Sequence, residues 1–282
     1  GDGGDELLGG YNRYISGQRL LANVERIPRG ARRLAAMGLG ALSPESWSKV
    51  YGALTSAFGR DGEHRLVGEK FGKVETLLRM DSFPDRYRSL MSAWQAPETL
   101  IPGTVGRPTM LDQILRSGEP SQPLDRMMLG DQLTYLPDDL LAKVDRASMA
   151  TSLEVRVPLL DHRLAELAWR LPDHFKIRGK TGKWALRQVA YRRIPNKLLD
   201  RPKMGFTVPI DRWLQGPLKP WADDLIHSET GSAYLDQPAL VEGWRRYQET
   251  GHGGLRFWAA LMLLGWTDRW GTHVPDPTPM TV

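Results

Sequence analysis

Three stretches of this chain bring together residue types that can do chemistry. The first is Gly1-Asp2-Gly3-Gly4-Asp5-Glu6, three carboxylates set among glycines. Glycine lets backbone amides come close to a ligand, and a helix starting near Asp5 would aim its free amides at the same place. Carboxylates beside a phosphate repel it unless a divalent cation stands between them. An acidic helix start after a tight turn is the alternative. The second stretch, residues 136–149, alternates acids and bases beside apolar residues and runs on through residues 152–161. It reads as a half-buried helix laced with ion pairs, unless Arg146 and Arg156 face a ligand instead. The third, residues 176–203, holds ten Lys/Arg against one acid, Asp200, a net +9 where the whole chain carries +5. Such a field draws a polyanion. A solvated basic helix is the alternative. Nucleic acid is the rival polyanion, but aromatic residues are not interleaved there as a base-stacking platform needs. Gly179-Lys180-Thr181 ends like a P-loop, yet His174 stands where that loop needs glycine, and no strand precedes it.

Helices have to position these residues. Across 282 residues there are 39 Leu against 13 Val and 8 Ile, a balance that favours helix over strand. From Glu6 a helical turn carries Leu7, Leu8 and Tyr11 near one face. Residues 17–60 are basic and rich in Ala, Gly and Ser, with Pro28 and Pro44 as helix boundaries. Residues 96–123, with five prolines, read as loop with one short helix over 110–115. A helix is predicted over 123–135 with Leu124, Met127, Met128 and Leu133 buried. Asp161 is the expected N-cap of a helix whose stripe is Leu164, Leu167, Ala168 and Leu171, ended by Pro172. A helix over 183–193 should bury Leu186, Val189 and Ala190. The last, over 255–270, is apolar on most sides and should be central to the packing.

Several classes of function drop out. Hydrophobic residues at 41% and charged residues at 25% describe an ordinary folded chain. With no cysteine there is no disulfide, thiolate zinc site or cysteine nucleophile within these residues. The six histidines lack metal-ligand spacing, and neither G-x-S-x-G nor G-x-G-x-x-G occurs. The longest nearly uncharged apolar stretch, 257–266, is too short to span a bilayer. The chain opens on a Gly-rich acidic run rather than Met, so it is expected to be a fragment, a processed terminus being the alternative. Residues 273–282, with Pro275, Pro277 and Pro279, are expected to form a disordered tail after a single body over 1–272.

Taken in order, the motifs resemble the synthetase domain of glutamine-hydrolysing asparagine synthetases. Gly1 to Tyr11 is similar to S-G-[DE]-G-x-D-E-x-x-G-G-Y without its leading Ser. Residues 136–161 resemble L-P-D-D-L-L-x-K-x-D-R-x-S-M-A followed by L-E-x-R-V-P-x-L-D. Gly182-Lys183-Trp184-Ala185-Leu186-Arg187 and residues 201–209 match G-K-x-x-L-R and R-x-K-x-G-F-x-x-P. The resemblance is strong at 1–14 and 124–214, moderate at 255–270 and weak at 15–123.

The resemblance implies an ATP-dependent ligase that turns aspartate into asparagine through β-aspartyl-AMP. Its ammonia would be released from glutamine by a separate N-terminal glutaminase domain. By the same resemblance Asp5 binds Mg²⁺, and Lys183 neutralises pyrophosphate and the developing oxyanion. Asp2 contacts the intermediate and is a candidate base for the proton of ammonia. Gly1, Gly3, Glu6, Arg146 and Lys203 belong to the nucleotide- and substrate-binding set. A S-G-G-x-D-S nucleotide loop and the glutaminase cysteine are absent from these residues. The fragment is therefore expected to be mainly α, the helical C-terminal portion of an α/β pyrophosphatase-type domain whose sheet is largely missing, and inert alone. It should leave an apolar face exposed where that sheet packs. ATP, aspartate and ammonia are the implied small molecules, with no nucleic-acid or membrane partner, a cytoplasmic location and a homodimer as the candidate assembly. A β-lactam-forming or other amide-forming relative, or a non-catalytic helical interaction module, is the alternative. A short distance from Asp5 to Lys183 would favour a phosphate site over a module or a nucleic-acid surface.

Overall fold

The computed structural model describes residues 2–41, 46, 74–94, 96–101, 108–200, 208–229, 234–251 and 253–271. They are mainly helical; their only strands are β1 (Ile177–Arg178) and β2 (Thr181–Gly182), an antiparallel pair with Ile177 opposite Gly182. Among the described residues, no helix is long and apolar enough to cross a membrane. The chain gathers into two units, one of residues 1–90 with 108–201 and one of residues 91–107 with 202–282.

The first unit opens with α1 (Gly4–Leu8), entered through Gly3 at φ 80° and left through Gly9 at φ 69°. A π-helical turn, Arg13–Gly17, leads into α2 (Gln18–Arg26), and Pro28 stands at the start of α3 (Arg29–Gly40), the boundary its ring dictates. After α4 (Phe83–Met91) comes α5 (Met110–Ser117), started by a capping box in which Thr109 and Asp112 satisfy each other's backbone N–H. Next is α6 (Pro123–Leu133), with proline in its first turn. A second π-helical turn, Leu136–Leu141, joins it to α7 (Ala142–Met149). Asp161 caps α8 (His162–Arg170) by accepting from the Arg163 N–H at 2.9 Å. The short α9 (Asp173–Lys176), the β1–β2 pair, α10 (Trp184–Tyr191) and α11 (Asn196–Leu199) complete the unit.

The second unit holds a 3₁₀ turn at Pro97–Thr99, α12 (Ile210–Leu214), α13 (Lys219–Ile226), α14 (Gln237–Thr250) and α15 (Gly254–Trp270). As expected, α15 is central: Phe257, Leu261 and Leu264 are fully buried against Leu214, Ile226, Leu240 and Trp244. Its outer side leaves Met262, Leu263, Trp266 and Trp270 exposed.

Four expectations need correction. Leu133, at the end of α6, is 51% exposed rather than buried. In α8 the packed face is Ala165, Ala168 and Leu171, and Leu167 is 48% exposed. The two alanines let Leu7 and Leu8 of α1 come in close, which turns the stripe away from Leu167. In α10 Leu186 packs inward while Val189 is 59% exposed. Residues 140–142, 144 and 148 are half-buried as expected, but among the described residues no ion pair laces 136–149. Pro44 and the tail 273–282 lie outside the described residues.

Candidate active site

Close backbone approach builds the site in the first unit. Gly3 can take its left-handed φ without strain, and a Cβ there would come within 2.2 Å of Leu160 Cδ2. That contact sets α1 on the 3₁₀ turn Pro158–Leu160, while Leu7 and Leu8 pack against Ala168, Leu160 and Leu186. Asp5 and Glu6 thereby occupy the first turn of α1.

The far end of α1 meets β2. A Cβ on Gly182 would lie 2.3 Å from the Gly9 carbonyl oxygen, so only glycine permits this approach. Lys183 follows at φ 53°, a left-handed conformation that a long side chain rarely takes. Its N–H donates to the Leu8 carbonyl oxygen at 3.0 Å, and its Nζ reaches Asp5 Oδ1 at 3.0 Å. Strained non-glycine backbone of this kind gathers at functional sites.

Glu6 does not face the same way. It was expected in the nucleotide- and substrate-binding set, and its side chain is 1% exposed and turned into the unit. The Tyr11 hydroxyl donates to Glu6 Oε1, and among the described residues Oε2 has no partner. Gln132 Nε2 donates to the Glu6 carbonyl oxygen at 3.0 Å and is itself oriented by Trp169 Nε1 at 3.0 Å. Beside it, Arg13 donates from Nε at 3.1 Å and Nη2 at 2.8 Å to Asp131 Oδ2, which also accepts from the Tyr14 hydroxyl. The Arg13 guanidinium lies 3.9 Å from the Tyr11 ring centre and 5.1 Å from that of Tyr135. Burial pushes the Asp131 carboxyl above its usual range, against the pull of Arg13. Burial, then the neighbouring Glu6, pushes the Tyr11 hydroxyl well up, so it stays a donor.

A family model described as asparagine synthase matches residues 1–268. The chain belongs to the asparagine synthase family. It is 27% identical over 270 residues to asparagine synthetase [glutamine-hydrolyzing] 1 of Bacillus subtilis, covering 94% of this chain and 39% of that protein. It is 30% identical over 283 residues to a Mycobacterium tuberculosis protein provisionally named as an asparagine synthetase [glutamine-hydrolyzing], covering 94% of this chain and 38% of that one. The cattle asparagine synthetase [glutamine-hydrolyzing] is 32% identical over 162 residues. The chain thus spans about two fifths of the length of the first two relatives. No solved structure matches it significantly.

Within this chain the structure brings together two of the residues picked from sequence, Asp5 and Lys183. Asp2 is half-buried in the turn before Gly3. Arg146 is exposed on α7 and joins no ion pair among the described residues. Gly1 and Lys203 lie outside the described residues. Asp5 offers one carboxylate to a cation, and no cluster of three or more metal-ligating side chains occurs among the described residues. A single carboxylate is a donor that Mg²⁺ accepts, its other positions then falling to phosphates and water. Tyr11, Arg13, Asp131 and Gln132 escaped the sequence reading as site residues. Tyr11 sits within the quoted G-G-Y motif, but nothing local ties it to Asp131 or Gln132, which lie in a segment read for its apolar stripe.

Proposed function

We propose that this chain supplies the helical C-terminal part of an ATP-dependent synthetase site that converts the aspartate side-chain carboxylate to an amide. The carrying observation is the 3.0 Å contact between Asp5 and Lys183, residues from opposite ends of the first unit, on a strained Lys183 backbone. In the reaction, a carboxylate oxygen of aspartate attacks the α-phosphorus of ATP and pyrophosphate leaves, forming β-aspartyl-AMP. The nitrogen of ammonia then attacks the acyl carbon, AMP leaves with the bonding pair, and the surplus proton passes to a base, for which Asp2 is the candidate.

Asp5 would hold Mg²⁺, which would supply positive charge against the phosphates. Lys183 holds a positive charge where pyrophosphate and the acyl oxyanion gather negative charge. Asp5 and Lys183 neutralise each other in the free chain; a bound cation and phosphate would each offer one of them a partner of opposite sign. Backbone from Gly3 lies in the same loop for contact with the adenylate. Arg146 and Lys203 remain proposed phosphate contacts, and Gly1 a proposed backbone contact. The adenine-nucleotide loop and the ammonia-producing glutaminase part would come from outside these residues, so the 282-residue chain alone should be inactive.

Three cations of the basic run have acidic partners in the fold. Lys176 is buried and paired with Asp125 at 3.1 Å, Lys183 with Asp5, and Arg187 with Asp200 at 2.7 Å. Of these three, Lys176 is buried inside the unit, while Lys183 and Arg187 are part-exposed with their charge paired. The test is pyrophosphate release by the full-length protein that carries this chain, given ATP, Mg²⁺, ammonia and a panel of carboxylates. Release that depends on aspartate supports the reading. Release with another carboxylate replaces the substrate, and none with any of them overturns the ligase assignment.

A further inference from the structure

Asp5 and Glu6 are neighbours on α1, yet they are held by Gly10, the second residue of the turn, and Tyr11, the residue after it. The Gly10 N–H donates to the Asp5 carbonyl oxygen at 2.9 Å, and Gly10 lies so close to the Asp5 carboxylate that a Cβ there would fall 2.0 Å from Oδ1. The next residue, Tyr11, donates its hydroxyl to Glu6. The turn Gly9-Gly10 is therefore closed on both sides: Gly10 backs Asp5 and Tyr11 anchors Glu6. Tyr11 is itself held from behind by Arg13, whose guanidinium covers its ring and is fixed to Asp131 on α6. Gln132, the next residue of α6, holds the Glu6 carbonyl oxygen. Two adjacent residues of α6 thus hold Glu6 on α1 directly and Tyr11 beyond the turn by way of Arg13.

We propose that Glu6 and Tyr11 are positioning residues that act through the Gly9-Gly10 turn to keep the Asp5 carboxylate aimed at Lys183. The inference rests on the synthetase reading for its effect on turnover, but not for its effect on the loop. Neither residue is placed on the reacting atoms: Glu6 is buried, and its Oε1 accepts from Tyr11. Losing the Glu6–Tyr11 bond leaves both side chains in place and frees the turn, and small displacements of an oriented group cost rate far more than they cost binding.

The variants are Tyr11→Phe, which keeps the ring under Arg13, Glu6→Gln, which keeps an acceptor for the hydroxyl, and Glu6→Ala, which keeps nothing. Two readouts are taken on the full-length protein. Steady-state pyrophosphate release should show kcat down about tenfold or more in Tyr11→Phe and Glu6→Ala with KM for ATP little changed, and Glu6→Gln should recover part of the loss. Hydrogen exchange without nucleotide or metal should show the peptide spanning residues 9–11 exchanging about tenfold faster in Tyr11→Phe, with the melting temperature held. Values of kcat within about twofold of the parent, or a fall in melting temperature with kcat of the folded fraction unchanged, overturn the inference and leave the ligase reading standing. If the parent protein releases no pyrophosphate, the ligase reading falls. Exchange then decides alone: faster exchange at residues 9–11 supports the loop-holding role, and unchanged exchange overturns it.

Discussion

The backbone N–H of Lys183 donates to the carbonyl oxygen of Leu8, at the C-terminal end of the same short helix whose first turn carries Asp5. Lys183 is thus tied to α1 twice, by its main chain at one end and by its ammonium at the other. The glycines at 9 and 182 make this possible, because any side chain at Gly182 would occupy the space of the Gly9 carbonyl oxygen.

Both charged partners should be needed for turnover. Lys183→Ala and Asp5→Ala are expected to cut pyrophosphate release by the full-length protein by about 10²–10³-fold, the usual cost of removing one group that stabilises developing charge. If the double variant loses no more than the worse single one, the two act as a unit. Release by Lys183→Ala at the parental rate would remove Lys183 from the mechanism.

Two glycine-to-alanine changes should have opposite signs. Gly182→Ala drives a methyl into the Gly9 carbonyl and is expected to cost about 1–3 kcal/mol of stability. Gly30→Ala, within α3 with nothing within 4 Å of an added Cβ, is expected to gain up to about 1 kcal/mol. Urea unfolding midpoints with unchanged slopes give both numbers. Equal effects would mean that the Gly9–Gly182 approach is not rigid.

The core of the second unit depends on Phe257, which is fully buried and packs against Trp94, Trp244 and Tyr247. Phe257→Ala should cost about 3–5 kcal/mol there. Thermal unfolding followed by tryptophan fluorescence would show it. A shift matching that of an exposed substitution such as Met262→Ala would contradict the packing.

Acid stability offers a test of a helix cap. Hydrogen bonds from the Arg163 side chain, then from its backbone N–H, hold the Asp161 carboxyl down to about 2, where an ordinary aspartate sits near about 3.9. A depressed carboxylate stabilises the fold above its unfolded value, and that contribution fades as pH falls through the folded value. The stability lost between about pH 4 and about pH 2 should shrink in Asp161→Asn, which keeps the cap but cannot titrate. Unfolding midpoints measured across that window decide it, and an unaltered pH slope would argue against the Arg163 pairing in solution.

Much of the local structure was legible in the chain because its causes are local. Proline at 28 and 123, Asp161 before a helical stripe and the apolar run of α15 each placed a helix within a few residues of its observed bounds. The ordered motifs were enough to mark Asp5 and Lys183 and the family they belong to. Which face of each helix is covered was not legible. Periodicity says which residues share a side, but what lies against that side comes from elsewhere in the chain, so Leu133, Leu167 and Val189 were misplaced. Charge behaved in the same way. The run 176–203 is basic along the sequence, yet Asp125, Asp5 and Asp200 neutralise three of its cations only once the chain has folded. The inward turn of Glu6 was decided last, when Tyr11 met its carboxylate across the Gly9-Gly10 turn and Gln132 of α6 met its backbone carbonyl, contacts that only the folded chain supplies.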